Sequence, residues 1–282
     1  MTRRFTVACL QTRPRETADS ATAEAMPLAE RAADAGAALI CLPEYAGGLA
    51  TDGAAVRPPA IAEGAHPLVA ALTGLARARG VWILLGSVAV PGAGGRILNR
   101  GLMIAPDGRV NGHYDKIHMF DIDLAPGQSH RESATVSPGA RAVLHDTPLA
   151  RIGHTICYDL RFPMLYRDLA QAGAEILAVP AAFTRSTGEA HWHILNRARA
   201  IENGAFVIAP CAVGPVPGGG EVYGHSLVVD PWGTVLADGG TEPGVVLAEI
   251  DPEQVAQARL RIPSLRHGRP YDAPEQRRPA AE

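Results

Sequence analysis

A carboxylate, an ammonium and a thiol stand at three places where the chain leaves an apolar run for a polar turn. Glu44 follows Ile40-Cys41-Leu42-Pro43, Lys116 sits in His113-Tyr114-Asp115-Lys116-Ile117-His118, and Cys157 ends Ala150-Arg151-Ile152-Gly153-His154-Thr155-Ile156-Cys157. Each alone is ordinary: a lone cysteine on an apolar strand is usually core, and a strand-end glutamate or hairpin lysine usually faces water. Together they are chemically sufficient for acyl transfer. The carboxylate takes the thiol proton, the sulfur attacks a carbonyl carbon, and the ammonium lowers the thiol pKa and stabilises the oxyanion. A strand that stops at a sharp turn into a helix presents its last side chain at the carboxyl end of a sheet, and the helix N-terminus there favours a thiolate.

Strands and helices must bring these three groups together. Apolar runs predict strands at Phe5–Gln11, 38–42, 81–90, 99–104, 150–157, 175–180, 205–211, 226–230, 234–237 and 245–250. Helical spacing marks 17–36, 66–79, 164–172 and 191–203. This alternation argues for α/β layers. Pro106-Asp107-Gly108 turns one strand back on the next at 109–116, so part of the sheet is antiparallel. The stretch 47–63 reads as a loop, Gly218-Gly219-Gly220 as a mobile one, and 261–282 as an extended tail. No linker divides the chain, so residues 1–262 are expected to form one domain followed by a tail at 263–282.

Composition narrows the classes of partner. Among 282 residues, 47% are hydrophobic and 20% charged, enough for a large core. A net charge of -3 gives no broad basic surface for nucleic acid or an anionic membrane. No run reaches membrane-spanning length, and the N-terminus has no secretory pattern. Cys9, Cys41, Cys157 and Cys211 lie far apart, without the spacing of a zinc ribbon or redox pair, which fits a reducing cytoplasm. Cys9, Cys41 and Cys211 are expected in the core. His191 and His193, two apart on a helix, point to different faces and are not expected to share a metal ion. His118 and His225 are candidate supports of the site.

The motifs go further. Leu42-Pro43-Glu44, Lys116-Ile117-His118-Met119-Phe120-Asp121, Arg131-Glu132-Ser133 and Cys157-Tyr158-Asp159-Leu160-Arg161-Phe162-Pro163 are joined by Thr187-Gly188-Glu189-Ala190-His191-Trp192, Arg197-Ala198-Arg199-Ala200-Ile201-Glu202-Asn203, Tyr223-Gly224-His225-Ser226 and Asp230-Pro231-Trp232-Gly233. In this the chain resembles the nitrilase superfamily of carbon-nitrogen hydrolases, and within it the Nit branch of amidases. The resemblance implies an αββα sandwich of two mixed sheets and a homodimer or higher homo-oligomer joined through helical faces. It implies Glu44 as general base, Lys116 as oxyanion-side cation, Cys157 as nucleophile, Glu132 as the carboxylate that positions the lysine, and the Tyr158 amide as second oxyanion donor. Arg161 would bind a substrate carboxylate, Phe183 and Thr187 would line the pocket, and neither metal nor organic cofactor would be needed.

Departures bear on substrate. Cys157-Tyr158-Asp159 differs from the Cys-Trp-Glu of true nitrilases, which disfavours a nitrile. Tyr45-Ala46-Gly47-Gly48 is less polar than in many relatives, and Met164 stands where the Nit pattern has glutamate. The expected substrate is therefore a small carboxylate-bearing amide, of the kind cleaved by an omega-amidase or a deaminated glutathione amidase. The alternatives are an N-carbamoyl amino acid hydrolase using the same residues, and a catalytically idle dimeric binding module.

Overall fold

Strand residues sort by parity into different cores. In Phe5–Gln11, Val7 and Cys9 face one apolar layer while Ala8 and Leu10 face another, and all four are fully buried. The same division separates Leu39 and Cys41 from Ile40, Ile176 and Ala178 from Leu177, and Phe206 and Ile208 from Val207 and Ala209. A strand covered on both faces must be apolar throughout, which explains why these segments read as continuous hydrophobic runs. The structure, a computed structural model, describes residues 4–125 and 128–272.

Six strands form the first sheet, in the spatial order Gly244–Ile250, Phe5–Gln11, Ala37–Cys41, Trp82–Pro91, Ile97–Ile104 and Val110–Asp115. The second sheet runs Val143–Asp146, Arg151–His154, Ile176–Ala178, Phe206–Ala209, Leu227–Val229 and Val235–Asp238. In both, two parallel pairings are flanked by antiparallel ones. Helices α1 (Ala18–Asp34) and α2 (Pro67–Arg79) cover the outer face of the first sheet; α3 (Pro163–Gln171) and α4 (Arg185–Asn203) cover that of the second. The inner faces pack on each other through Cys9, Leu39, Leu84, Met103, Ile176, Phe206 and Val228. The result is the expected four-layer αββα sandwich with two mixed sheets.

Glycine sets how closely the sheets approach. A Cβ on Gly86 would collide with the Leu42 and Pro43 carbonyl oxygens and with Pro180 of the opposite half, and one on Gly101 would collide with the His154 ring. Both positions lie on strands of the first sheet.

Several elements differ from expectation. Helix α4 starts at Arg185 rather than 191, because its first turn is held by the Arg185–Glu189 pair and by Gly188 against the Tyr223 ring, neither of which leaves an apolar period. A fifth helix, α5 (Glu253–Arg261), was not anticipated: only Val255 and Ala258 of it are buried, too little for a recognisable stripe. Short hairpins, Thr51–Asp52 with Ala55–Val56 and Val213–Pro215 with Glu221–Tyr223, occupy stretches expected to be loop. The strand leading to the cysteine ends early, at His154. Residues 263–272 carry no helix or strand, and 273–282 of the expected tail lie outside the described residues.

Candidate active site

Each of the three groups is fixed by its own backbone. Beyond Ala37–Cys41, the Leu42 amide donates to the Leu84 carbonyl (2.9 Å), and the Tyr45 amide donates to Ser87 Oγ (2.8 Å), so Glu44 is clamped between them. Lys116, just past Val110–Asp115, donates its amide to the Asn99 carbonyl (3.0 Å) and accepts the Gly139 amide (2.7 Å). The Cys157 amide donates to the Pro180 carbonyl (2.9 Å), and the residue opens a five-residue 3-10 turn at φ 50°.

The side chains converge. Lys116 Nζ lies 2.9 Å from Glu44 Oε1 and 3.0 and 2.8 Å from the two oxygens of Glu132. Glu44 also accepts from Asn99 Nδ2 (2.9 Å) on Oε1 and from the Ala182 amide (2.9 Å) on Oε2. Glu132 accepts the Phe120 amide (2.7 Å) and the Tyr45 hydroxyl (3.2 Å). The Glu44 carboxylate is close enough to the Cys157 thiol to raise its pKa. Exposure of Glu44, Lys116, Glu132 and Cys157 is 4%, 2%, 3% and 7%, so these charges interact with little solvent screening.

Charge balance sets the resting state. Burial presses on the Lys116 ammonium, yet Glu132 and Glu44 hold its pKa well above the ordinary range. Burial, with the Glu44 carboxylate beside it, lifts the Cys157 thiol well above its ordinary value against the pull of Lys116. This corrects the expectation of a thiolate favoured by the ammonium and a helix N-terminus. One ammonium already shared by two carboxylates leaves little positive potential for the sulfur, and the turn at Cys157 separates it from α3. The sulfur rests as a thiol beside the Glu44 carboxylate.

Asp159, fully buried, ties the cysteine turn to the lysine strand. One oxygen accepts the Ile156 amide (2.8 Å) and the Tyr114 hydroxyl (2.7 Å); the other takes the His118 amide (3.1 Å) and lies 2.7 Å from His118 Nδ1. Tyr114 and His118 flank Lys116, and Ile156 adjoins Cys157. His118 also stacks on Phe162, with centroids 3.5 Å apart.

These groups floor a cleft. Phe183, Thr187, Tyr158 and Tyr45 line it, with Glu221 and Val222 from the strand Glu221–Tyr223. Arg161 does not line it. Its guanidinium sits 5.6 Å from the Phe183 ring centroid, behind that wall, and Nη2 lies 3.2 Å from His191 Nδ1. Sequence reasoning also passed over Tyr45, Asn99 and Asp159 as functional groups. One available signal went unused: Lys116 is the only lysine among 26 basic residues.

A neutral thiol held against a carboxylate, with a buried ammonium at hand, is acyl-transfer equipment, and the fold carrying it is that of a hydrolase. The chain belongs to the carbon-nitrogen hydrolase family, whose model matches residues 6–260. It is 45% identical over 191 residues to a Synechocystis protein named deaminated glutathione amidase, covering 66% of this chain and 70% of that one. Against the human omega-amidase NIT2 it is 39% identical over 198 residues, 70% of this chain and 71% of that one. The crystal structure of the C. elegans NitFhit protein superposes with a TM-score of 0.85 at 31% identity, over 94% of this chain and 65% of that longer one. By family the chain is accordingly a carbon-nitrogen hydrolase.

Proposed function

We propose that Cys157, Glu44 and Lys116 hydrolyse the terminal amide of a small carboxylate-bearing compound through a thioester on Cys157. The observation that carries this reading is Glu44, which bonds the ammonium and the Ala182 amide and whose charge acts directly on the Cys157 thiol. Glu44 takes the thiol proton as sulfur attacks the amide carbon; Lys116 and the Tyr158 amide stabilise the oxyanion. The carbon-nitrogen bond breaks as Glu44 returns the proton to nitrogen, releasing ammonia. Water, deprotonated by Glu44, then cleaves the thioester to give the acid and the free thiol. Glu132 keeps the ammonium aimed throughout.

The relatives' names supply the substrate class: deaminated glutathione or an ω-amide of a keto acid. Phe183 and Thr187 shape the pocket, and Arg161 serves the carboxylate by swinging out from behind Phe183 into the cleft. Met164, Ile194 and Ile201, 66%, 69% and 51% exposed on α3 and α4, support a homodimer through those helices. No helix among the described residues is long and apolar enough to cross a membrane. We place residues 1–262 as the catalytic unit and the protein in the cytoplasm, where four unpaired cysteines persist.

Ammonia release across a panel of amides, with Arg161→Ala alongside, tests the proposal. ω-Amides with a distal carboxylate are expected to turn over fastest, and Arg161→Ala to raise KM with kcat nearly kept. A preference for carboxylate-free amides unchanged in Arg161→Ala would remove the carboxylate clamp, and carbon dioxide released with the ammonia would point to N-carbamoyl substrates.

A further inference from the structure

Away from the cleft, His193 on α4, His225 in the turn after Glu221–Tyr223, and Asp238 at the end of Val235–Asp238 bring three ligand atoms within 4.8 Å of one another. His193 Nε2 lies 3.0 Å from Asp238 Oδ2, and His225 Nδ1 lies 2.9 Å from Oδ1 and 3.2 Å from Oδ2. We propose that these residues form a binding site for one divalent transition-metal ion of the zinc class.

The donor set is two imidazole nitrogens and a carboxylate, the chemistry that takes zinc, nickel or cobalt in preference to magnesium or calcium. At zinc bond lengths of about 2.1 Å, a tetrahedral ion spaces its ligand atoms roughly 3.4 Å apart. The two His–Asp238 separations, 3.0 and 2.9 Å, lie near that, and the two imidazole nitrogens lie within 4.8 Å of each other. Each imidazole that now donates a proton to Asp238 becomes a ligand when that proton moves to its other ring nitrogen; two neutral histidines then release none. The remaining coordination positions fall to water, since the three side chains are 22–35% exposed.

The ligands are held in place from behind. The His225 amide donates to the Gly240 carbonyl (2.7 Å), and its carbonyl accepts from Trp192 Nε1 (2.7 Å). Asp238 Oδ1 takes the Gly240 amide (2.9 Å), and the His225 ring stacks on Tyr223 with centroids 4.5 Å apart. His225 adopts φ 52°, a left-handed conformation that a non-glycine residue takes at a cost, and which turns this ring toward the other two ligands. Such second-layer support fixes the geometry a metal meets. His191, weighed with His193 as a helix pair, has no part in the cluster: it faces Arg161 instead.

The ion would brace the cleft. Helix α4 carries Thr187 and the strand Glu221–Tyr223 carries Glu221 and Val222, all on the cavity wall. Crossing from His193 to His225 therefore pins two pieces of that wall to the second sheet.

The test is titration of the tag-free full chain with Co²⁺, read by visible absorption, with Zn²⁺ as competitor and thermal melting as a second readout. One equivalent is expected to bind at micromolar concentration with nitrogen-oxygen ligand-field bands and no thiolate charge-transfer band, and Zn²⁺ is expected to displace it and raise Tm. His193→Ala and Asp238→Asn are each expected to weaken binding by more than the roughly 10–100-fold typical of losing an outer partner, while His191→Ala leaves it unchanged. His193 is on the surface, so its variant folds even if Asp238→Asn does not. Absence of saturable binding, a thiolate signature, or binding indifferent to His193→Ala would overturn the site.

Discussion

The two sheets repeat one sequence of strand orientations yet contribute unlike parts to the cleft. The first supplies the charges, Glu44 past its central strand and Lys116 past its edge strand; the second supplies a neutral thiol. Both use a left-handed non-glycine residue at the turn, Tyr45 at φ 51° and Cys157 at φ 50°. In the first turn that residue braces the site through its hydroxyl on Glu132; in the second it is the proposed nucleophile. The difference teaches a division of labour. Ions in the first half hold one another in a low-dielectric frame, while backbone geometry aims the sulfur of the second.

The largest effects come from removing one half's contribution at a time. Cys157→Ala is expected to reduce amide turnover by about 10⁴-fold or more while leaving the melting temperature close to wild type, because the lost group is small and neutral. Lys116→Met is expected to lose comparable activity and also stability. It leaves Glu44 and Glu132 as buried carboxylates without a counter-charge, a loss of about 3–5 kcal/mol in urea denaturation. Lys116→Arg should not restore turnover, since a planar fork does not replace a point charge shared by two carboxylates. Equal destabilisation by Cys157→Ala and Lys116→Met would dissolve the distinction between frame and nucleophile.

The joint between the halves comes next. Gly86→Ala puts a methyl group into the Leu42 and Pro43 carbonyls and the Pro180 ring, forcing the sheets apart at the base of the cleft. A loss of about 3 kcal/mol is expected, with kcat falling alongside because Glu44 and Cys157 sit on opposite sides of that joint. Unchanged urea midpoints would mean that the sheets adjust independently.

Acid should loosen the second half first. His145 on its edge strand and His154 on the strand beside it lie 3.1 Å apart; burial holds His145 down at about 4 and pushes His154 well below the ordinary histidine value. A histidine whose folded pKa lies below its unfolded value stabilises the protein at pH above about 6.5, and that stability is lost as pH falls toward 4. For His145 the gap is worth about 3 kcal/mol. Hydrogen exchange between pH 6.5 and 4 is expected to accelerate at Val143–Asp146 and Arg151–His154 before Phe5–Gln11. Uniform exchange across both sheets would place the acid-sensitive contacts elsewhere.

How much of this was legible depended on whether a residue's role left a periodic or compositional trace. Central strands announced themselves because both faces are buried. Glu44, Lys116 and Cys157 were found because they break apolar runs, and the family resemblance gave them roles. The first turn of α4 and the whole of α5 were missed because tertiary contacts, not apolar stripes, hold them. Asn99, Tyr45 and Asp159 are common polar residues whose importance lies in what they touch across the fold, and no spacing encodes that. His193, His225 and Asp238 likewise meet only once α4 packs over the second sheet. The state of the thiol was misjudged for a physical reason: attraction to a lysine is visible in a list of residues, but desolvation and a competing carboxylate are not.

Tyr45 offers the finest probe of the comparison, because it shares the backbone strain of Cys157 without reacting. Its hydroxyl is one of several donors to Glu132, alongside Lys116 and the Phe120 amide. Tyr45→Phe keeps the ring and the left-handed turn and deletes only that donor. A stability loss of about 1–2 kcal/mol is expected, because the carboxylate keeps its stronger partners. If Glu132 acts only by aiming Lys116, kcat should fall no more than about tenfold and KM should stay fixed. A drop in kcat as large as that of Lys116→Met would instead make the tyrosine part of the charge frame, and the two turns would be more alike than their chemistry now suggests.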